Sequence, residues 1–265
     1  MENSIFIASR KKDVFWKDLV DLSKTEIFYN LIISLPWLFA SFAFAFFGWW
    51  PLAIICSFVF FLCGLRQAHD AFHHAMGISK KAHDFVMFVL SLLMMCSMHA
   101  VKHNHLQHHK HCLDDEDMEG FSARLPWWKA ILYGPIFIFL HHYHALKKGN
   151  KVTRNWVMVE IIGMVLLAIA VLLWQNKIAL YHLCIMIIGE FFTAFFAVWT
   201  VHHDCETDKV YSRTLRGKYL PKLFYNMFYH TEHHLFPKVP TSHLPELAKR
   251  IDKVFPEVST KQIFN

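Results

Sequence analysis

Four stretches of this chain are apolar for long enough to cross a bilayer as helices, which needs about 20 residues each. They run over residues 28–48, 51–66, 155–174 and 178–199. "GWWP" joins the first two and "QNK" the last two, so each pair reads as a tight hairpin with tryptophan at the interfacial turn. Segments 85–101 and 127–140 are ambiguous, and the second is short and carries Gly134-Pro135. With both at the interface, every Lys and Arg except Lys177 falls on the side of the two termini. The positive-inside rule makes that side cytoplasmic. Had 85–101 spanned alone, the groups around residues 69 and 105 would face opposite sides. The expectation is an all-α, multi-pass membrane protein with four transmembrane helices in two hairpins. It forms a single domain over 1–265, with 67–154 and 200–252 cytoplasmic. The polar N-terminus, "MENSIFIASRKKDVFWKDL", does not read as a cleavable signal peptide.

Against that apolar background the chain carries 20 histidines. Three clusters lie just outside the expected spans: "HDAFHH" from His69, "HNHLQHHKH" around His105, and "HTEHH" from His230. On a helix, residues three and four apart share a face, so His69 with His73, His105 with His108 and His109, and His230 with His233 and His234 can chelate. His74 adds a further donor, and His103 is an alternative to His105. Two clusters of identical H-x-x-H-H spacing on one membrane face point to a metal centre. Eight imidazoles exceed the four ligands of one tetrahedral zinc, so two metals sharing eight or nine ligands fit better, with dioxygen chemistry at two irons the leading reading. A fourth cluster, "WTVHHDCE", offers His202 or His203 as a ninth ligand, His202 being preferred.

Asp70 and Glu232, adjacent to candidate ligands, are expected to accept ring N–H groups and orient them; Asp204 is left unassigned. A helix is expected from after Pro221 to before Pro237, placing Asn226 one turn before His230 on the same face. His99 either lines the site or caps an interfacial helix, and His141, His142 and His144 read as a basic, headgroup-facing surface. The acidic run "LDDEDMEG" (113–120) reads as a solvated loop that could also receive a basic redox partner. The six cysteines are scattered, without C-x-x-C, so neither a disulfide framework nor a zinc knuckle is expected.

"HDAFHH", "HLQHH" and "HTEHH" resemble the three histidine boxes of the integral-membrane fatty acid desaturases, and "YHTEHHLFPKVPTSHLPELAKRID" (229–252) is similar to the C-terminal stretch of many members. The resemblance covers roughly residues 28 to 252. It implies a four-helix stem under a cytoplasmic helical cap that holds two iron ions. The implied ligands are His69, His73, His105, His108, His109, His230, His233 and His234, completed by His202 or His203. The implied activity is O2-dependent insertion of a cis double bond into a lipid or acyl substrate. No "HPGG" motif of a fused cytochrome b5 is present, so a separate electron donor is expected, such as ferredoxin or cytochrome b5 with its reductase; no nucleic-acid partner is expected. Carotenoid or alkane hydroxylases and ketolases share the boxes and form the alternative. A metal transporter or store fits less well, because the spans hold only Glu160, Glu190 and His182 as obvious candidates to pass an ion along. A membrane haem protein fits less well because the histidines cluster outside the spans.

Overall fold

The computed structural model describes residues 11–205, 212–254, 256 and 261–264. Helix dominates throughout; among the described residues there is no strand, only an isolated bridge between Thr214 and Gln262. Ser23 opens the first apolar stretch with a capping box: its Oγ accepts from the Glu26 N–H, and Glu26 Oε2 accepts from the Ser23 N–H at 2.8 Å. Helices α1 (Lys24–Ile32) and α2 (Leu35–Phe46) follow, and Gly48, at φ 77°, turns the chain into α3 (Trp50–Phe72), whose first turn carries Pro51. Helix α3 continues six residues past the expected end of its span and so carries His69 on regular helix, with His73 as its C-terminal cap.

Helices α4 (Lys80–Met94) and α5 (Met98–His111) meet at an angle of 112°. Met95 adopts left-handed backbone (φ 60°), and Ser97 caps α5 by accepting from the Ala100 N–H. The ambiguous 85–101 stretch is therefore broken, and the second histidine cluster turns back to meet the first. The other ambiguous stretch belongs to a longer helix, α6 (Trp127–Lys148), which runs through Pro135. Helices α7 (Lys151–Trp174) and α8 (Lys177–Phe191) form the second hairpin, capped by Asn150 and Asn176. The last expected span is not straight: α8 bends by 41° into a π-helical segment, Ala194–Trp199, and a closing turn, Thr200–His202.

Lys24–Phe46, Trp50–Phe72 and Lys151–Trp174 are long and apolar enough to cross a membrane, and each bent pair adds one more span if counted as a unit, giving three to five. Large side chains such as Phe39, Phe46, Phe58, Leu166 and Leu173 are exposed along these helices. An apolar belt of this extent is suited to lipid. The interior centres on α3, whose Phe60, Phe61 and Phe72 pack with Met87, Met94, Met98 and Met186. A separate core lies where helix α10 (Leu244–Val254) packs Leu247 and Ile251 against Val14, Leu235 and Phe236.

Helices α6 and α8 meet backbone to backbone at Gly134, where a Cβ would land on the Phe191 carbonyl, backbone that cannot yield. Small residues permit such contacts between packed helices. Gly134→Ala should cost about 1–3 kcal/mol through overpacking, read as a lowered melting temperature in detergent, whereas Gly48→Asn, at an open left-handed turn, should be tolerated.

Candidate metal centre

The three histidine clusters converge, but not as three separate chelates. His69, His73, His105, His109 and His233 each offer a ligand atom within 4.8 Å of all the others. A second group holds His108, His202 and His234 together with Cys112, again within 4.8 Å. His230 joins that side, its Nε2 lying 2.8 Å from His202 Nε2 and 3.0 Å from His234 Nε2. Each H-x-x-H-H cluster therefore serves both groups. On α5, His105 and His109 face one and His108 the other; on α9 (His230–Leu235), His233 faces the first while His230 and His234 face the second.

Ring nitrogens meet at van der Waals distance or closer: His73 to His105 at 3.1 Å, His109 to His233 at 2.9 Å, and His108 to His202 at 3.0 Å, all Nε2 to Nε2. Burial holds His230, His233 and His234 well below the ordinary imidazole pKa, and the charges of neighbouring rings add to this. These rings are neutral and keep a lone pair free. His69 Nε2 is buried with no hydrogen-bond partner. An orphaned ring nitrogen beside other imidazole nitrogens is what a bound cation would satisfy, so the residues fit a metal pair.

The carboxylates that orient the rings are not those expected. His105 Nδ1–H donates to Glu119 Oε1 at 2.9 Å, and His108 Nδ1–H donates to Asp117 Oδ2 at 2.7 Å. Both acceptors are buried members of the acidic run taken for a solvated loop, in which Asp114, Asp115 and Glu116 alone are exposed. Burial pushes the Asp117 carboxyl up, but the hydrogen bond and charge of His108 and the Gly120 and Leu113 N–H groups hold it at about 2. In Glu119 burial is likewise outweighed, by the charge and hydrogen bond of His105, and its pKa is lowered.

Asp70 touches no imidazole. Its Oδ1 accepts from the N–H and hydroxyl of Thr241, at 3.1 and 2.6 Å, and Arg66 stands 3.9 Å from its other oxygen. Glu232 accepts from Thr214 Oγ1 at 2.8 Å and pairs with Arg216 at 2.5 Å. Neighbours along a helix point about 100° apart, so adjacency to a ligand directs these carboxylates away from it. The helix expected between Pro221 and Pro237 is interrupted: only Leu220–Leu223 and His230–Leu235 are helical, and Tyr225 and Asn226 adopt φ of 52° and 62°. Asn226 is thus not one helical turn before His230. Its N–H closes a turn on Pro221 O at 2.8 Å, while Trp37 Nε1 donates to the Tyr225 hydroxyl.

Of the two histidines after the last span, His202 enters the second group and His203 stays outside. The His203 ring stacks on Trp199 at 4.0 Å, and its Nδ1 bonds the Trp199 carbonyl. His74 packs on His83, and His103 lies outside both groups. His99 bonds Glu160 at 2.6 Å and stacks on Trp156. His141 is not headgroup-facing: it is buried, its pKa lowered to about 4 by that burial. It lines an apolar cavity with Leu65, Phe72, Phe137 and Val198, and the cavity touches His69 and His105 of one group and His230 of the other.

Compared with known proteins, residues 47–264 match the family described as fatty acid desaturase, in line with the three boxes. No individual curated protein matches the chain.

The ring-orienting carboxylates carry a direct test. Asp117→Asn and Glu119→Gln should each weaken metal retention by about 10–100-fold, measured by chelator competition and elemental analysis. Asp115→Asn, on the exposed part of the same loop, should leave it unchanged.

Proposed function

The chain belongs to the fatty acid desaturase family, and from that premise we propose that it is a membrane-bound, O2-dependent oxidase that places a cis double bond in a fatty acyl chain. The observation that carries this reading is the convergence of histidine Nε2 atoms from distant segments at the end of an apolar cavity. In this reading His69, His73, His105, His109 and His233 hold one iron, and His108, His202, His230 and His234 hold the other. When bound, the pair supplies O2 activation and the oxidising power for removing two hydrogens from an unactivated carbon chain.

The chain's own residues do the rest. Glu119 and Asp117 fix the tautomers of His105 and His108, so that Nε2 presents its lone pair. Leu65, Phe72, Phe137 and Val198 position the hydrocarbon and exclude water. A second apolar cavity of about 300 Å³, between α3 and α8, is lined by Phe58, Phe61, Met186 and Phe196 and offers room for the remainder of the chain. Electrons come from a separate carrier, such as ferredoxin or cytochrome b5 with its reductase.

The proposed topology has four spans: α1 with α2, α3, α7, and the bent α8 segment. Helices α4, α5 and α6 lie at the cytoplasmic interface, and both termini and the metal centre are cytoplasmic. The polar composition of α5 and the isolation of Lys177 at the far turn support it. An impermeant thiol reagent should label Asp115→Cys from the cytoplasmic face and Lys177→Cys from the opposite face, above the wild-type background.

Activity is tested by expression in a host of defined lipid composition, followed by lipid mass spectrometry. Wild type should yield a species two hydrogens lighter and carry about two irons per chain; His233→Ala should yield neither. A product heavier by oxygen would replace desaturation with the hydroxylase or ketolase reading.

A further inference from the structure

The two donor groups differ in kind. The first is composed of five imidazoles, whereas in the second His108, His202 and His234 share their space with the Cys112 thiol, all within 4.8 Å. Cys112 Sγ lies 3.9 Å from His108 Nε2. The His108 Nδ1–H is committed to Asp117, so Nε2 is the ring nitrogen that faces the thiol. His230 touches His202 and His234 but falls outside the set that includes Cys112.

The backbone holds the thiol there by the same device that orients His108. Cys112 caps α5 four residues after His108, with φ −40° and ψ 115° ending the helix. The next N–H, that of Leu113, donates at 2.8 Å to Asp117 Oδ2, the oxygen that also receives His108 Nδ1–H. Arg124 clamps the turn by donating to the Leu113 carbonyl. One carboxylate thereby fixes both the imidazole and the sulfur. Cys56, Cys63, Cys96, Cys184 and Cys205 belong to neither donor group.

We propose that Cys112 is the fifth donor to the second metal ion, so that one chain holds an imidazole-only site beside a mixed imidazole–thiolate site. The proposal rests on the reading that the histidines hold metal. On binding, the S–H bond breaks heterolytically, its proton leaves to solvent, and the sulfur's electron pair forms the metal–sulfur bond. No electron transfer is involved. Both ions then have five protein donors. The second gains an anionic, soft ligand, so the two metals become electronically unequal.

The full-length protein in detergent, stripped with chelator and reloaded with cobalt(II), tests this without reference to turnover. Wild type should show a thiolate-to-cobalt charge-transfer band in the near ultraviolet, and X-ray absorption should show a sulfur neighbour at about 2.3 Å, the metal–thiolate distance. Cys112→Ser should lose both signals and Cys184→Ser should keep them. Two bound cobalt ions with a nitrogen-only shell in wild type would overturn the thiolate while leaving the histidine site standing. Failure of wild type to bind cobalt would overturn both. The wild-type sulfur shell decides the matter even if Cys112→Ser does not fold.

Discussion

The arrangement depends on crowded lone pairs. Imidazole nitrogens from α3, α5, α9 and the end of the α8 segment lie 2.8–3.1 Å apart within a buried space. His105 and His108 have committed Nδ1–H to carboxylates, so in the neutral ring their Nε2 atoms can only accept. Acceptor facing acceptor is unfavourable in a low-dielectric interior unless a cation or a shared proton lies between. Burial removes the protonated alternative at His230, His233 and His234. The 112° bend after Met94 and the extension of α3 to Phe72 serve this requirement, because each delivers a histidine cluster to the same place.

The parts legible in the sequence are those with a period. Apolar runs of about 20 residues mark candidate spans, and the H-x-x-H-H spacing marks the clusters. Spacing also carried information that a single-face reading misses. At 100° per residue, i and i+4 lie closer in angle than i and i+3, and on α5 the i, i+4 pair His105 and His109 faces the first group while His108 faces the second. Asp117 and Glu119 were hidden because an acidic run looks like a solvated loop. The one signal distinguishing them is an alternation of acidic and other residues, D-M-E, where the preceding D-D-E is continuous.

The carboxylates next to the ligands have a different task. Asp70 ties the end of α3 to Thr241 in the segment beyond α9, and Glu232 ties α9 to Thr214 and Arg216. The boxes are thus held by tethers that point away from the ring nitrogens. A hydrogen bond to a charged group contributes about 1.5–3 kcal/mol, and the Asp70 bond connects chain segments 171 residues apart. Asn226 belongs to the same theme: its left-handed backbone, which asparagine tolerates better than most residues, breaks the helix so that α9 can begin at His230.

The preference for His202 over His203 has a structural cause that sequence periodicity does not show. From Ala194 to Trp199 the helix is π-wound, and the Thr200 N–H reaches back to the Phe195 carbonyl, five residues earlier. A π turn adds a residue and shifts the phase of everything after it. The shift turns His202 towards His108 and His230, and leaves His203 to stack on Trp199. Thr193, Ala197 and Val198, at or beside the same irregular stretch, wall the cavity. One local change of winding therefore sets both the donor closing the second group and the shape of the space beside it, so that straightening this segment to α-helix would move the two together.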